Sequence, residues 1–271
     1  PYTTLFRSGW KFYAERPWLA GLFFWTGFDY RGEPNPLKWP AVGSQFGIVD
    51  QCGFPKDSYY YLKSWWSNEP VLHIFPHWNW QGCEGQVIDV WIYSNCDEVE
   101  LFLNKKTLGR QAMPKNGHLA WQVPYEQGNL MAIGYNNGEN VETQVVSTTA
   151  NPYAIKAIPH KSFIKNDGDD CVVIDIQIVD ESDNIVPTAN NLLKFSINGS
   201  AKFIGVGNGN PASHEKDVFV KLNNEPQWER QAFNGLAQVI IKSNKNDKGN
   251  IVVQISSDGL KSACVQLKVE Q

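Results

Sequence analysis

The sequence predicts a mainly β protein in which two immunoglobulin-like β-sandwich domains follow one strand-and-helix unit of a parallel sheet or barrel. Three observations lead to this fold class. After Pro70, short runs of alternating apolar and polar residues recur about every 8 to 12 residues. Clusters of Gly, Asn and Pro separate these runs, as turns separate antiparallel strands. Before Pro70, a continuous apolar run is followed by a polar loop and an amphipathic segment, which is the order of a βα unit.

Composition and charge exclude several classes of protein. The chain has 271 residues, of which 42% are hydrophobic and 13% aromatic, so it can bury sizeable cores and is not disordered as a whole. Its 24 basic and 28 acidic residues give a net charge of −4 without any run of Lys or Arg, so neither a nucleic-acid nor a membrane partner is expected. The five cysteines form no CxxC pair and the five histidines have no ligand spacing, so we expect no metal site and no cofactor.

The N-terminal residues 1–8, PYTTLFRS, resemble the translation of a common sequencing-adapter oligonucleotide, and we exclude them from the fold prediction. If they are an adapter, the natural reading frame extends upstream. The sequence also lacks the basic, apolar and small-residue order of a signal peptide. We therefore expect no export signal within these 271 residues.

Residues 9–70 contain the parts of one βα unit. Apolar residues up to Pro17 indicate the end of a helix. The run LAGLFFW at 19–25 predicts a buried parallel strand, and KDSYYYLKSWW at 56–66 predicts an amphipathic helix. Because one such unit buries its strand only inside a larger sheet or barrel, we expect 9–70 to be the last part of a domain whose remainder lies elsewhere.

The residues after Pro70 predict two antiparallel sandwiches, and the segment NPYA at 151–154 marks the boundary between them. The strands predicted for the first sandwich are 71–75, 86–94, 98–104, 119–125 and 129–136. Those predicted for the second are 153–160, 171–180, 193–199, 201–207, 236–243, 250–257 and 262–270.

Polar and aromatic groups follow the predicted strand 19–25 and form the one candidate site. These residues are Trp25, Asp29, Tyr30 and Glu33. Active sites of parallel α/β barrels lie at the C-terminal ends of the strands, which favours a ligand site here. The alternatives are a core aromatic for Trp25 and ordinary solvated or loop-bonding carboxylates for Asp29 and Glu33.

The same residues carry a family pattern. The segment from Trp18 to Trp66 contains WTGFDYRGEP, then WP, SQFGIVD, GFPKD and YYYLKSWW. It resembles the closing part of the catalytic barrel in glycoside hydrolase family 2, in particular its bacterial β-galactosidase-like members. HWNWQGCEG (77–85) with VWIYSNCDEVELFLN (90–104) resembles the all-β domain that follows the barrel. GVGNGNPASHE (205–215) with RQAFNGLAQVII (230–241) resembles the C-terminal immunoglobulin-like domain.

The resemblance implies a domain arrangement and an activity. It assigns 9–70 to the last βα unit of a TIM (β/α)8 barrel, 71–148 to one immunoglobulin-like β-sandwich and 149–271 to another. The implied reaction is retaining hydrolysis of terminal β-galactosides, by two carboxyl groups about 5 to 5.5 Å apart. In this family both are glutamates on earlier barrel strands. The glutamates before residue 69 are Glu15 and Glu33, and neither matches a catalytic motif, so no catalytic residue is expected in this chain.

The resemblance also gives roles to the candidate residues. Trp25 corresponds to the tryptophan of the last barrel strand that forms the floor of the sugar subsite, where an indole packs on the apolar face of galactose. Asp29, Tyr30 and Glu33 match the family string, and we expect them to bind substrate as well. The implied partner is a β-galactoside-containing oligo- or polysaccharide. The family suggests that the full-length protein is periplasmic or extracellular, while the oligomeric state is left open.

A rival hypothesis is a non-catalytic carbohydrate-binding or structural module. Trp78 and Trp80 are candidates for a sugar-binding platform, although aromatics two residues apart on a strand more commonly pack into a core. His214 and Glu215 are candidates for a catalytic dyad, although the Gly- and Asn-rich sequence before them favours a turn. Exposed, coplanar aromatics on one sandwich face would favour the rival, and buried ones would disfavour it.

Overall fold

The computed structural model describes residues 2–222 and 225–270, so Pro1 of the predicted adapter segment lies outside the described residues. The chain forms two compact units. The first contains the residues up to Asn35 together with Gly43–Thr148, and the second contains Pro36–Val42 together with the residues from Thr149 onward. Among the described residues, no helix is long and apolar enough to cross a membrane.

Two helices precede the strands of the first unit. Helix α1 spans Tyr2–Ala14, and helix α2 spans Asp57–Trp66. Helix α2 confirms the predicted amphipathic helix, and α1 ends before Pro17 as predicted, although it begins within the segment 1–8 that was excluded from the prediction. Tyr61 and Leu62 are the buried apolar residues of α2, and the Tyr61 ring lies edge-on to Tyr93 with its centroid 5.2 Å away.

The apolar run 19–25 forms no strand, which contradicts the prediction for this segment. Phe23 and Trp25 are exposed to solvent rather than buried. The physical reason is that a parallel strand needs neighbours for its backbone hydrogen bonds and for both of its faces, and no described strand pairs with this run. The barrel part of the predicted fold class is therefore not seen in this chain.

The first unit contains a sandwich of seven strands. They are β1 Leu72–Phe75, β2 Val87–Ser94, β3 Glu98–Leu103, β4 Lys106–Ala112, β5 Leu119–Pro124, β6 Asn129–Asn136 and β7 Glu139–Ser147. One sheet has the order β1-β2-β5 and the other the order β4-β3-β6-β7, with antiparallel pairing throughout. Alternate residues of β3 and β5 face the core, which includes Val99, Leu101 and Trp121.

Five of these strands confirm the predictions, but β4 and β7 were missed. Both are the edge strands of their sheet. None of their residues is buried. KTLGRQA shows no apolar alternation, and in ENVETQVVS the apolar Val141 and Val145 lie on the exposed face, so neither sequence marks a strand with one buried face.

In the described residues of the second unit, ten strands form a sandwich. They are β8 Ala154–Pro159, β9 Phe163–Lys165, β10 Cys171–Val179, β11 Leu192–Asn198, β12 Ala201–Gly207, β13 Val220–Leu222, β14 Glu225–Gln231, β15 Leu236–Ser243, β16 Asn250–Ser256 and β17 Ala263–Glu270. The sheets have the orders β12-β15-β10-β8 and β13-β14-β11-β16-β17-β9. Ile174, Val239 and Ile251 are among the fully buried core residues. All seven predicted strands are present, whereas the short β9 and β13 and the polar β14 were missed.

Candidate functional site

Trp25, Tyr30 and Glu33 are joined by a chain of hydrogen bonds on the surface of the first unit. The Trp25 indole Nε1 donates to the Tyr30 hydroxyl at 3.0 Å, and that hydroxyl donates to Glu33 Oε2. The two aromatic rings lie edge to face, with centroids 6.3 Å apart. Trp25 remains 69% exposed, so its indole is held at one edge while much of the ring faces solvent.

The backbone around Tyr30 fixes the position of this cluster. Tyr30 N donates to Ser44 Oγ at 3.0 Å, and Ser44 N donates to the Tyr30 carbonyl at 2.7 Å. Glu33 has a φ of 47°, in the left-handed region, where the chain turns back toward the Tyr30 ring. Ser44 was not among the predicted site residues, because nothing in its local sequence indicates a contact to a residue so far along the chain.

The hydrogen bond to the Glu33 carboxylate raises the pKa of the Tyr30 phenol above its usual value. The phenol therefore keeps its proton at neutral pH and donates a hydrogen bond to Glu33. The other oxygen of Glu33 can accept a hydrogen bond from a ligand. The cluster thus presents an exposed aromatic ring beside a carboxylate, which are the two kinds of group that bind a sugar ring.

Asp29 occupies a different position from the other predicted site residues. It is 6% exposed, and its Oδ1 accepts from Gly47 N at 2.7 Å. Its Oδ2 pairs with Lys56 Nζ at 2.8 Å, and the same ammonium donates to the Gln45 carbonyl at 3.2 Å. In this structure Asp29 is the loop-bonding carboxylate that one of the sequence hypotheses described. Whether the four residues bind substrate stays a prediction.

Gly47 is required where the loop approaches Asp29. A Cβ at this position would lie 2.2 Å from Asp29 N and 2.4 Å from Val49 O, which no real side chain tolerates. The close approach lets the Gly47 N–H reach the buried carboxylate. This pairing was not predicted, although the motif SQFGIVD contains the glycine.

Asp50 is a second carboxylate that the sequence hypotheses did not include. Its Oδ1 accepts from the backbone N–H groups of Cys52 and Phe54, at 2.8 and 3.0 Å, and closes a turn before α2. Burial raises the pKa of the Asp50 carboxyl above its usual value, against the opposing effect of these two hydrogen bonds. The DQCG sequence, with Gly53 at positive φ, is the local signal for such a turn.

The tryptophans proposed as a sandwich platform pack inward. Trp78 is fully buried and donates its Nε1 to the Glu126 carbonyl at 2.9 Å. Trp80 is half-buried, stacks on His77 and packs against the core. Core packing is therefore confirmed for this pair, and the platform hypothesis is wrong for Trp78.

His214 and Glu215 contact different partners and form a structural loop. His214 Nε2 lies 2.9 Å from the Pro40 carbonyl oxygen. Glu215 accepts from Gln231 N at 3.0 Å and lies 3.7 Å from the Arg230 Nε. A turn at 211–212 directly precedes these two residues, as predicted, but no residue of 205–215 has the positive φ that the glycines were expected to supply. In the part of the chain that the structure describes, no group of three His, Cys, Asp or Glu side chains is arranged to hold a metal ion.

Comparisons with known proteins agree with the two sandwiches. Residues 155–266 match the family model described as glycoside hydrolase family 2 C-terminal domain 5, and residues 85–142 match a domain of unknown function. The chain is similar to a β-galactosidase of Bacteroides ovatus, with 38% identity over 100% of this chain and 31% of the relative. It is also similar to a putative β-glucuronidase of Formosa agariphila, with 36% identity over 76% of this chain and 20% of the relative.

A solved structure has the same fold. A β-glycosidase from Bacteroides vulgatus superposes with a TM-score of 0.87 and 32% identity, covering 97% of this chain and 32% of that one. These matches define the protein as a member of a glycosidase family. The chain belongs to glycoside hydrolase family 2. It spans about a third or less of the length of these relatives.

Proposed function

We propose that this chain is the C-terminal part of a longer retaining β-galactosidase and that it supplies one wall of the sugar subsite. The observation that carries the proposal is the exposed Trp25 indole, held by Tyr30 with the Glu33 carboxylate beside it. A galactose ring has an apolar face of CH groups that packs on an indole, and hydroxyls that donate to a carboxylate. The catalytic glutamates belong to the part of the enzyme that precedes these residues.

The proposal favours a galactoside over a glucuronide. Both names occur among the relatives, so the choice rests on the charge of the candidate site. Glu33 places a negative charge close to Trp25. A glucuronate carboxylate stacked on the same indole would be repelled by Glu33, whereas the hydroxyls of a neutral galactose would form charge-assisted hydrogen bonds with it.

The exposed apolar run 19–25 supports the link to a barrel. Trp18, Phe23 and Phe28 are also exposed, and large exposed apolar patches mark surfaces that another part of a protein covers. In the longer enzyme we propose that 19–25 pairs as the last strand of the TIM barrel. Trp25 then lies at the C-terminal end of that strand, where barrel enzymes bind substrate. The rival module hypothesis loses support because Trp78 is buried.

The test uses the longer enzyme encoded by the reading frame that contains these residues. Trp25→Ala should lower kcat/KM for an aryl β-galactoside by about a hundredfold, because a misplaced sugar ring loses its alignment with the nucleophile. Trp25→Phe keeps an aromatic ring that can pack on the sugar and is the matched control, with a smaller loss expected. Normal kcat/KM in Trp25→Ala would contradict the subsite, and a preference of the unmodified enzyme for aryl β-glucuronides would contradict the galactoside.

A further inference from the structure

The second unit includes Pro36–Val42, a short segment of the polar loop that carries an exposed tryptophan. Trp39 exposes 79% of its surface, more than Trp25. An exposed indole alone needs no explanation, because single apolar side chains are common on protein surfaces. What distinguishes Trp39 is that the residues directly after it, Pro40 and Val42, are held by the second unit.

Two backbone carbonyl contacts fasten this segment to the loop after β12. Val42 N donates to the Pro211 carbonyl at 3.0 Å. His214 Nε2 lies 2.9 Å from the Pro40 carbonyl oxygen. The His214 ring also lies edge-on to the Trp39 indole, with centroids 4.5 Å apart and planes at 63°. His214 thus contacts both the side chain of Trp39 and the backbone next to it.

The loop that bears His214 is itself anchored to β14. The Arg230 guanidinium is almost completely buried and donates to Asp217 Oδ1 at 3.1 Å. Glu215 accepts from Gln231 N at 3.0 Å, and Asn208 Nδ2 donates to the Gln231 carbonyl at 2.7 Å. A ring held by such a loop loses little conformational freedom when a ligand packs on it, so more of the contact energy appears as affinity.

We propose that Trp39 is a stacking platform for one pyranose ring of a neutral β-linked oligosaccharide and that His214 is its positioning residue. The class of ligand rests on the proposed function. One indole matches the apolar face of one sugar ring, whereas a stable protein partner needs about 800 Å² on each side.

The test is a titration of the 271-residue chain in which every tryptophan is replaced biosynthetically by fluorotryptophan. The fluorine NMR signals of Trp39 and Trp25 are assigned by their loss in Trp39→Ala and Trp25→Ala. On addition of lactose, the Trp39 signal should shift and saturate. His214→Ala should raise the Kd obtained from that signal severalfold, and methyl β-glucuronide should give a weaker shift than lactose.

The two signals separate this inference from the proposed function. A shift of Trp39 that persists in Trp25→Ala supports the platform whatever the catalytic activity of the longer enzyme. A shift of Trp25 alone supports the subsite and overturns the platform. A Trp39 signal that does not shift at any lactose concentration up to the solubility limit overturns the platform. A Kd that is unchanged in His214→Ala overturns the positioning role of His214. Thermal melting of each variant confirms that it is folded.

Discussion

The buried Arg230 predicts an asymmetry between removing the guanidinium and removing its partners. Its side chain is 2% exposed, while the paired side chains of Glu215 and Asp217 are 35% and 52% exposed. If Arg230 is removed, both carboxylates can be hydrated where they are. If both carboxylates are removed, the guanidinium keeps its charge in a place that water does not reach.

The magnitudes follow from this difference in exposure. Truncating both partners, in Glu215→Ala with Asp217→Ala, leaves an uncompensated buried charge and should lower the free energy of unfolding by about 3 to 5 kcal/mol. Arg230→Met keeps most of the buried aliphatic volume and loses charged hydrogen bonds, so it should cost only about 1 to 2 kcal/mol. The exposed pair of Lys156 and Asp183 is the matched control, and Lys156→Met should cost less than about 1 kcal/mol.

Amide hydrogen exchange of β15 as a function of urea measures these free energies within the second unit. β15 is suitable because alternate residues of the strand are buried in the core of that unit. An equal loss of unfolding free energy in Arg230→Met and in the double variant would refute this asymmetry. It would show that other groups stabilise the buried guanidinium charge when both carboxylates are absent. A larger loss for Arg230→Met would refute it as well.

Three further predictions concern the chain as it stands. The purified chain should not hydrolyse a chromogenic β-galactoside above background, because none of its glutamates matches a catalytic motif of the family. Turnover that disappears in Glu33→Gln would contradict this prediction. Gly47→Ala should open the loop before α2 to limited proteolysis, because the added Cβ would lie 2.2 Å from Asp29 N, and an unchanged cleavage pattern would count against it. Burial raises the pKa of Asp50 from 3.8, so its contribution to the stability of the folded first unit is fully present below about pH 4 and is lost as the pH rises through the raised pKa. Urea unfolding of the unmodified chain and of Asp50→Asn should therefore give a difference in the free energy of unfolding that falls as the pH rises from about 4, and the subtraction cancels the opposite effect of carboxyls with lowered pKa values, such as Asp180.

The strands that could be predicted are those with one face on the core. EVELFL in β3 and LAWQVP in β5 alternate because alternate side chains of a strand point to opposite faces. The edge strand β7 has no buried residue, and its Val141 and Val145 lie on the exposed face. Periodicity therefore detects burial, and it identifies a strand only where burial accompanies it.

The run 19–25 shows the opposite error. Its apolar composition is that of a strand buried on both faces, but secondary structure of this kind depends on partners that the sequence of the segment does not contain. The apolar composition allows the segment to form a strand that is buried on both faces. Whether it forms that strand depends on the presence of neighbouring strands.

The sequence by itself determined two sandwiches and the stretch in which a sugar-binding cluster is expected. Tertiary structure decided which residues of that stretch share a surface. Trp25, Tyr30 and Glu33 are hydrogen-bonded neighbours, whereas Asp29 is turned away toward Gly47 and Lys56. The physical reason is that the direction of a loop side chain depends on the contacts its backbone makes with distant residues. For Asp29 these partners lie 18 and 27 positions further along the chain, and no local pattern encodes their approach.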